Sequence, residues 1–275
     1  MTPEDYAFIC RLVREQSAIA LDEGKRYLVE SRLAPILREH KLACIGELVR
    51  ALRTGGDNGL RVRVIQAMVT TETSFFRDVT PFEALRTVVL PELVKRRAAE
   101  QSLRIWCAAC STGQEPYSVA LLLREHFPHL AAWTVSILAT DLSAEVLAKA
   151  RAGRYSQLEV NRGLPAALLV KYFRQQGAAW ELADEIRSMV QFRELNLATP
   201  WSALPMVDLV LLRNVMIYFE PATKSEILGR VARLLRPGGY LLLGGAETTR
   251  NLCDAFTRVE VRKVGFYQLD PTVRV

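Results

Sequence analysis

The sequence predicts an α/β fold: a doubly wound, mostly parallel sheet with a small β insertion, preceded by an all-helical N-terminal domain. Three observations carry that expectation. Residues 1–70 keep apolar side chains at helical spacing and contain no strand pattern. From Leu103 onward, apolar strands alternate with helical stretches. The last sixty residues end in extended segments with turn residues between them.

Each element follows in order. Thr2-Pro3 is a cap and first-turn pair, and Tyr6, Ile9, Cys10 and Val13 continue a helix from it. A second helix is expected over Gly24 to His40 despite Pro35, and a third near Ile45 to Leu52, before the break Thr54-Gly55-Gly56-Asp57-Asn58-Gly59. Thr80-Pro81-Phe82-Glu83 has the form of a capping box and should open a helix linking two domains. The expected division is a helical domain over 1–70, a connecting segment over 71–102 and a sheet domain over 103–275. In the latter, LRIWCA, PYSVALLLREHF, VSILATD and SAEVLAKARAG read as βαβα. Extended pieces at Trp180–Leu182 and Met189–Phe192 suggest a β insertion near 174–194. VDLVLL reads as a buried strand, EPATKSEILGRVARLLRPGG as a helix closed by Pro-Gly-Gly, YLLLGGAE as the next strand, and AFTRVEVRKVGFYQLD as an antiparallel hairpin.

Composition bounds the function. With 275 residues, half of them hydrophobic, the chain is globular, which excludes disordered and collagen-like classes. A net charge of +6 is too small to mark nucleic acid or lipid as a partner. Five cysteines without regular spacing and an N-terminus without a secretory pattern point to the reducing cytoplasm. The most apolar run, VDLVLLRNVMIYF, is broken by Asp208, Arg213 and Asn214 and falls short of the ~20 residues of a membrane helix, so no membrane insertion is expected.

Ligands of an open parallel sheet bind beyond the carboxyl ends of its strands. After the first strand stands Ala108-Ala109-Cys110-Ser111-Thr112-Gly113-Gln114-Glu115-Pro116-Tyr117-Ser118, whose small residues permit close backbone approach and whose Glu115 opens a helix. Taken alone, it is equally a plain strand-to-helix turn. Asp141 ends the second strand, where a carboxylate can accept from both hydroxyls of a ribose; alternatively it only precedes the cap Ser143. Together they make a nucleoside-like cofactor the economical reading. No Cys or His pair has zinc spacing, so no metal is expected; His40, His126 and His129 are assigned to the surface, and Phe75 and Phe76 to the core.

Six segments in one order, TTETSFFRD (70–78), CSTGQEPYS (110–118), ATDLSAEVLAKARAGRY (139–155), ELNL (194–197), LRNVMIYF (212–219) and RLLRPGGYLLLGGAE (233–247), resemble the CheR family of chemoreceptor glutamate O-methyltransferases. The resemblance spans nearly the whole chain and implies a class I methyltransferase fold with S-adenosylmethionine as cofactor and S-adenosylhomocysteine as product. It further implies a cytoplasmic, monomeric enzyme that esterifies glutamates on the helical bundle of a chemoreceptor during adaptation. Carried over position by position, the cofactor contacts fall on Thr71, Thr73, Arg77, Glu115, Asp141, Asn196, Leu197, Arg213 and Asn214. Arg77 and Tyr218 take the catalytic positions, Arg77 orienting the substrate carboxylate and Tyr218 lying near the methyl group. Arg32 and Arg38 of the second helix match positions that face the receptor. Some family members dock a receptor tail pentapeptide on a glycine-bracketed loop of the β subdomain; here Gly177 stands without a Gly-x-Gly, so pentapeptide-independent recognition is expected. The competing reading is a non-catalytic methyltransferase-like sensor or scaffold. A DNA amino-methylase is disfavoured because its Asn/Asp-Pro-Pro-Tyr strand exit is absent.

Overall fold

The computed structural model describes residues 1–55, 58–201 and 204–270. Gly56 and Asp57 of the expected break, and the last five residues of the expected sheet domain, lie outside them.

Four helices come first: α1 (Pro3–Ser17), α2 (Arg26–Glu39), α3 (Ile45–Arg53) and α4 (Asn58–Met68). Thr2 and Asp5 exchange the two hydrogen bonds of a capping box at α1, an arrangement that stabilises a helix end by about 1 kcal/mol. Helix α2 carries Pro35 in its interior and is preceded by a 3-10 turn at Glu23–Lys25.

The connecting segment departs from its sequence pattern. Helix α5 (Thr80–Ala84) starts one residue before the expected first turn: Thr80 makes no capping bond, and Glu83 bonds Arg86 rather than reaching back. The helix then widens into a π turn over Leu85–Val89, where the Leu90 N–H reaches Leu85 O, and continues as α6 (Leu90–Arg96). Pro91, which has no N–H to give, stands at the end of that π turn, a usual cause of such a widening.

The sheet domain comprises β1 (Ser102–Ala108), α7 (Gln114–His126), β2 (Thr134–Asp141), α8 (Ala144–Ala152), β3 (Arg154–Ser156), α9 (Gln157–Asn161), α10 (Ala166–Tyr172), β4 (Phe173–Gln176), β5 (Ala179–Leu182), α11 (Asp184–Arg187), β6 (Val190–Glu194), β7 (Val207–Leu212), α12 (Pro221–Leu234), β8 (Leu235–Leu243), β9 (Phe256–Val261) and β10 (Val264–Leu269). Seven strands form one sheet in the order β6-β2-β1-β7-β8-β10-β9, parallel up to β8 and antiparallel beyond it. This is the class I methyltransferase arrangement. The terminal hairpin turns on Arg262 and Lys263, both left-handed at φ 49° and 67°, as a two-residue turn matching strand twist requires.

Two sequence expectations are corrected here. The piece Met189–Phe192 belongs to β6, the edge strand of the main sheet, and the insertion is instead a three-stranded antiparallel sheet, β3-β5-β4, which recruits Arg154–Ser156. Pro237-Gly238-Gly239 does not close α12. It lies within β8 and forms an irregularity where the pairing shifts between Val207 and Leu209, because a Cβ on Gly239 would come within 2.8 Å of Asp208 O.

Alternation along the strands divides the core. Leu103, Ile105 and Cys107 of β1 face the cluster that holds α7 and the connecting helices; Trp106 and Ala108 face the cluster shared with α12 and the helical domain. The helical domain is therefore packed onto one face of the sheet through a continuous apolar core. Asp208, fully buried, is satisfied by Arg97 Nε at 2.6 Å, Arg236 Nη1 at 3.3 Å and the Arg104 N–H at 2.9 Å. Removing one partner of such a buried pair costs about 3–5 kcal/mol. No helix among the described residues is long and apolar enough to cross a membrane.

Candidate functional site

The sheet has its switch point at β1, since the chain runs outward from β1 through β2 to β6 on one side and then crosses back to β7 on the other. At the carboxyl ends of β1, β2, β6 and β7 lies a cleft. Its walls include Thr71, Thr73, Arg77, Glu115, Asp141, Asn196, Leu197, Arg213, Asn214 and Tyr218, so every residue assigned to the cofactor or to catalysis from sequence borders one space. Ser17, Ile19 and Met68 of the helical domain complete it.

Local folding places each of these groups. The turn after β1 puts Ala109 and Ser111 at φ 55° and 51°, and Gly113, at φ 93°, precedes α7 where a Cβ would stand 2.9 Å from Ala150 Cβ. Asp141 Oδ2 accepts from the Ser111 N–H at 2.8 Å and Oδ1 from the Ser143 N–H at 3.1 Å. Asp141 thus holds the β1 turn and precedes the capping Ser143. Burial raises its pKa against the pull of those N–H groups. Glu115, in the first turn of α7, is also raised by burial, opposed by Arg213.

Arg213 is held through its two terminal nitrogens, while its buried Nε finds no hydrogen-bond partner among the described residues. Nη1 bonds Glu115 at 3.0 Å; Nη2 bonds Asp78 Oδ2 at 2.7 Å and Arg77 O at 3.0 Å; the guanidinium carbon lies 5.6 Å from the Phe82 ring centroid. It clamps a turn in which Phe76, Asp78 and Val79 all have positive φ, costly for the β-branched Val79 at φ 47°, ψ −59°. Arg77 sits on that turn with one side-chain hydrogen bond, to Glu72 O at 3.2 Å, and no ion pair among the described residues. Phe75 and Phe76 are packing residues as expected: Phe75 is fully buried against Tyr155 and Phe173, and Phe76 meets Phe82.

Three assignments look different in the structure. Asn196 directs its amide to Gln16 O at 2.6 Å and accepts from the Ala198 N–H at 2.9 Å, so its side chain ties the sheet domain to α1. Leu197 O accepts from Arg230 and Trp201, while its N–H makes no bond among the described residues. Arg32 does not present a free cation: its guanidinium bonds Met68 O at 2.6 Å and Thr70 Oγ1 at 3.0 Å, holding the segment after α4 that lines the cleft, and burial lowers its pKa while the nearby Tyr218 opposes that shift. Arg38 is exposed.

The Asn214 side chain, half-buried on the cleft wall, makes no hydrogen bond among the described residues. Ala20 N–H donates to Tyr218 O at 2.9 Å, and Ile19 pairs with Phe219, so the helical domain also fixes the Tyr218 segment. His40, His126 and His129 are exposed, and Cys107 and Cys110 are buried thiols with pKa values raised by desolvation. Among the described residues no group of three or more His, Cys, Asp or Glu is placed to hold a metal. Sequence reasoning missed Asp78 and Glu247; both stand inside quoted motifs, but neither type nor spacing reveals which backbone or guanidinium groups they meet.

The family model described as "CheR methyltransferase, SAM binding domain" matches residues 71–264, and that described as "CheR methyltransferase, all-alpha domain" matches 4–69. The chain is 42% identical over 261 residues to Chemotaxis protein methyltransferase 1 of Pseudomonas aeruginosa, covering 93% of this chain and 94% of that one. It is 40% identical over 273 residues to Chemotaxis protein methyltransferase 1 of Vibrio cholerae, covering 98% of both. Two helical and sheet units in this order, a cleft at the switch point, and these matches have one explanation: the chain belongs to the CheR family of S-adenosylmethionine-dependent chemotaxis methyltransferases, which are protein-glutamate O-methyltransferases.

Proposed function

We propose that the cleft esterifies the side-chain carboxylate of specific glutamates on the cytoplasmic helices of a chemoreceptor, in adaptation of chemosensory signalling. The observation that carries this is Arg77: a cleft guanidinium without an ion-pair partner among the described residues, beside a second one, Arg213, that is ion-paired with Glu115 and Asp78. A free guanidinium fork suits an incoming carboxylate.

The residues present fit S-adenosylmethionine. Asp141 offers carboxylate lone pairs to ribose hydroxyls, and the Asn214 amide and the Leu197 N–H are open polar groups on the wall. Acidic groups around the cleft, Glu115 and Asp141 among them, favour a sulfonium cation. When bound, the cofactor supplies an electrophilic methyl group. A glutamate, with a reference pKa of about 4.3, is already ionised at neutral pH and needs no general base. What remains for the chain is alignment: Arg77 orients the carboxylate, Tyr218 closes the pocket wall, and the segment from Met68 to Thr73 excludes water. Positioning of this kind can supply roughly 7–11 kcal/mol of a barrier. Arg77 must not bind the ground state as tightly as the transition state, and its single weak backbone contact leaves it free to adjust.

Receptor docking is assigned to the exposed side of α2, with Arg38 as the available cation, because Arg32 serves the cleft wall. Residues 1–70 hold eleven basic and nine acidic side chains, so docking should be modest and salt-sensitive. The tight Gly177-Ala178 connection between β4 and β5 supports recognition without a tail pentapeptide. Two measurements test this reading. In a tritium-transfer assay offering receptor helices, duplex DNA and free glutamate, label should enter the receptor helices alone; label in DNA or the free acid refutes the substrate assignment. In fluorescence anisotropy, a labelled receptor-tail pentapeptide should show no saturable binding; micromolar binding, corresponding to about −8 kcal/mol, overturns pentapeptide independence.

A further inference from the structure

Glu247 follows β8 in the Gly244-Gly245-Ala246-Glu247 turn and does not border the cleft. Its carboxylate nevertheless gathers three backbone N–H groups. Oε2 accepts from Asn214 at 2.8 Å and from Gly244 at 2.7 Å; Oε1 accepts from Ile217 at 3.3 Å. Two of these donors belong to the loop that leaves β7: Asn214 at its start and Ile217, the residue before Tyr218. Asn214 has φ 58°, a left-handed conformation that takes its N–H out of the strand ladder and toward the carboxylate. Gly244 permits the approach, since a Cβ there would lie 2.7 Å from Glu247 Oε2 and 2.8 Å from Asn214 N.

From this we infer that Glu247 is a positioning residue for methyl transfer, bracing Asn214 on the cofactor side and Tyr218 on the reaction side through one carboxylate. The inference rests on the roles proposed above for those two residues. Charge-assisted bonds to an ionised acceptor are about twice as strong as neutral ones, and two of them fix a loop whose other backbone bonds are the 3-10 turn at Met216–Tyr218 and the Ala20 N–H on Tyr218 O. Arg213, next in sequence to Asn214, clamps the Arg77 turn, so the same brace lies at the base of both lips of the cleft.

The asymmetry of the three bonds gives the test. In Glu247→Gln the amide oxygen should stay with the two short donors, Asn214 and Gly244, and the NH2 group should face the Ile217 N–H, donor against donor. Cofactor affinity should then stay within about twofold while kcat falls about tenfold, the equivalent of one lost hydrogen bond at the reaction centre. Glu247→Ala removes both ends and should lower kcat by roughly a hundredfold and weaken S-adenosylhomocysteine about fivefold or more. Glu247→Asp, shorter by one methylene, should fall between. Calorimetry with S-adenosylhomocysteine, steady-state kinetics with receptor helices and thermal melting read the three effects separately. A kcat within twofold of wild type in both Gln and Ala variants overturns the inference. So does a parallel decline of kcat, affinity and melting temperature in Glu247→Gln, which marks a merely structural residue. If the wild type itself transfers no methyl group to receptor helices, the proposed reaction fails instead, and unchanged S-adenosylhomocysteine affinity in Glu247→Ala would still count against the brace.

Discussion

Arg77→Ala is expected to lower methyl transfer by about 10²–10³-fold, the usual cost of removing one charged or oriented donor at a reaction centre, with cofactor affinity and melting temperature changed far less. The separation follows from how the turn is held. Arg213 grips Arg77 through its carbonyl oxygen and Asp78 through its carboxylate, and the Arg77 side chain adds only a 3.2 Å bond to Glu72 O. Truncation therefore leaves the strained turn clamped and removes only the guanidinium. Lysine should rescue poorly, because a point charge cannot address both oxygens of a carboxylate at once. Steady-state kinetics on the alanine variant near wild-type values would remove Arg77 from the mechanism.

Asp141→Ala should weaken S-adenosylmethionine and S-adenosylhomocysteine equally and by tenfold or more, since hydrogen bonds to a charged acceptor contribute about 1.5–3 kcal/mol each. The loss has two sources, contact with the ligand and release of the Ser111 N–H that shapes the β1 turn. Acidity separates them. Burial raises the Asp141 pKa, so on acidification it takes up a proton before an exposed aspartate does. Cofactor affinity should thus begin to fall above the ordinary aspartate range, and Asp141→Asn should abolish that part of the pH dependence. Stability should move oppositely. A carboxyl group with a raised folded pKa binds its proton more tightly folded than unfolded, so its contribution to stability increases as the pH falls through the folded pKa. Calorimetric titrations at stepped pH give the first trend and thermal melts the second; a flat affinity profile would exclude Asp141 from the ligand.

The sheet and the helical domain were legible because their signals are redundant: continuous apolar runs in β1 and β7, helical spacing in α1, and the Thr2-Pro3 cap and first-turn pair point the same way. Elements decided by competition between neighbours were not. Pro237-Gly238-Gly239 has the composition of a helix stop, but the sheet captures it because the pairing of Val207 with Leu235 begins two residues earlier. Thr80-Pro81-Phe82-Glu83 has the letters of a capping box, but Arg86 takes the Glu83 carboxylate. Motif positions gave the cleft wall residue by residue, whereas the partners that orient it, Gln16 for Asn196, Met68 for Arg32, Asp78 for Arg213 and Glu247 for Asn214, are distant in sequence and carry no local signature.

The account rests on one chemical claim, that the methyl group ends on a carboxylate oxygen of a receptor glutamate. It is tested most directly by labelling receptor helices with tritiated S-adenosylmethionine and treating the product with mild alkali. A methyl ester hydrolyses under those conditions, so the account predicts release of the label as volatile methanol, in amounts that disappear with Arg77→Ala. Label that remains on the receptor through the alkali step would place the methyl group on nitrogen or sulfur and contradict it.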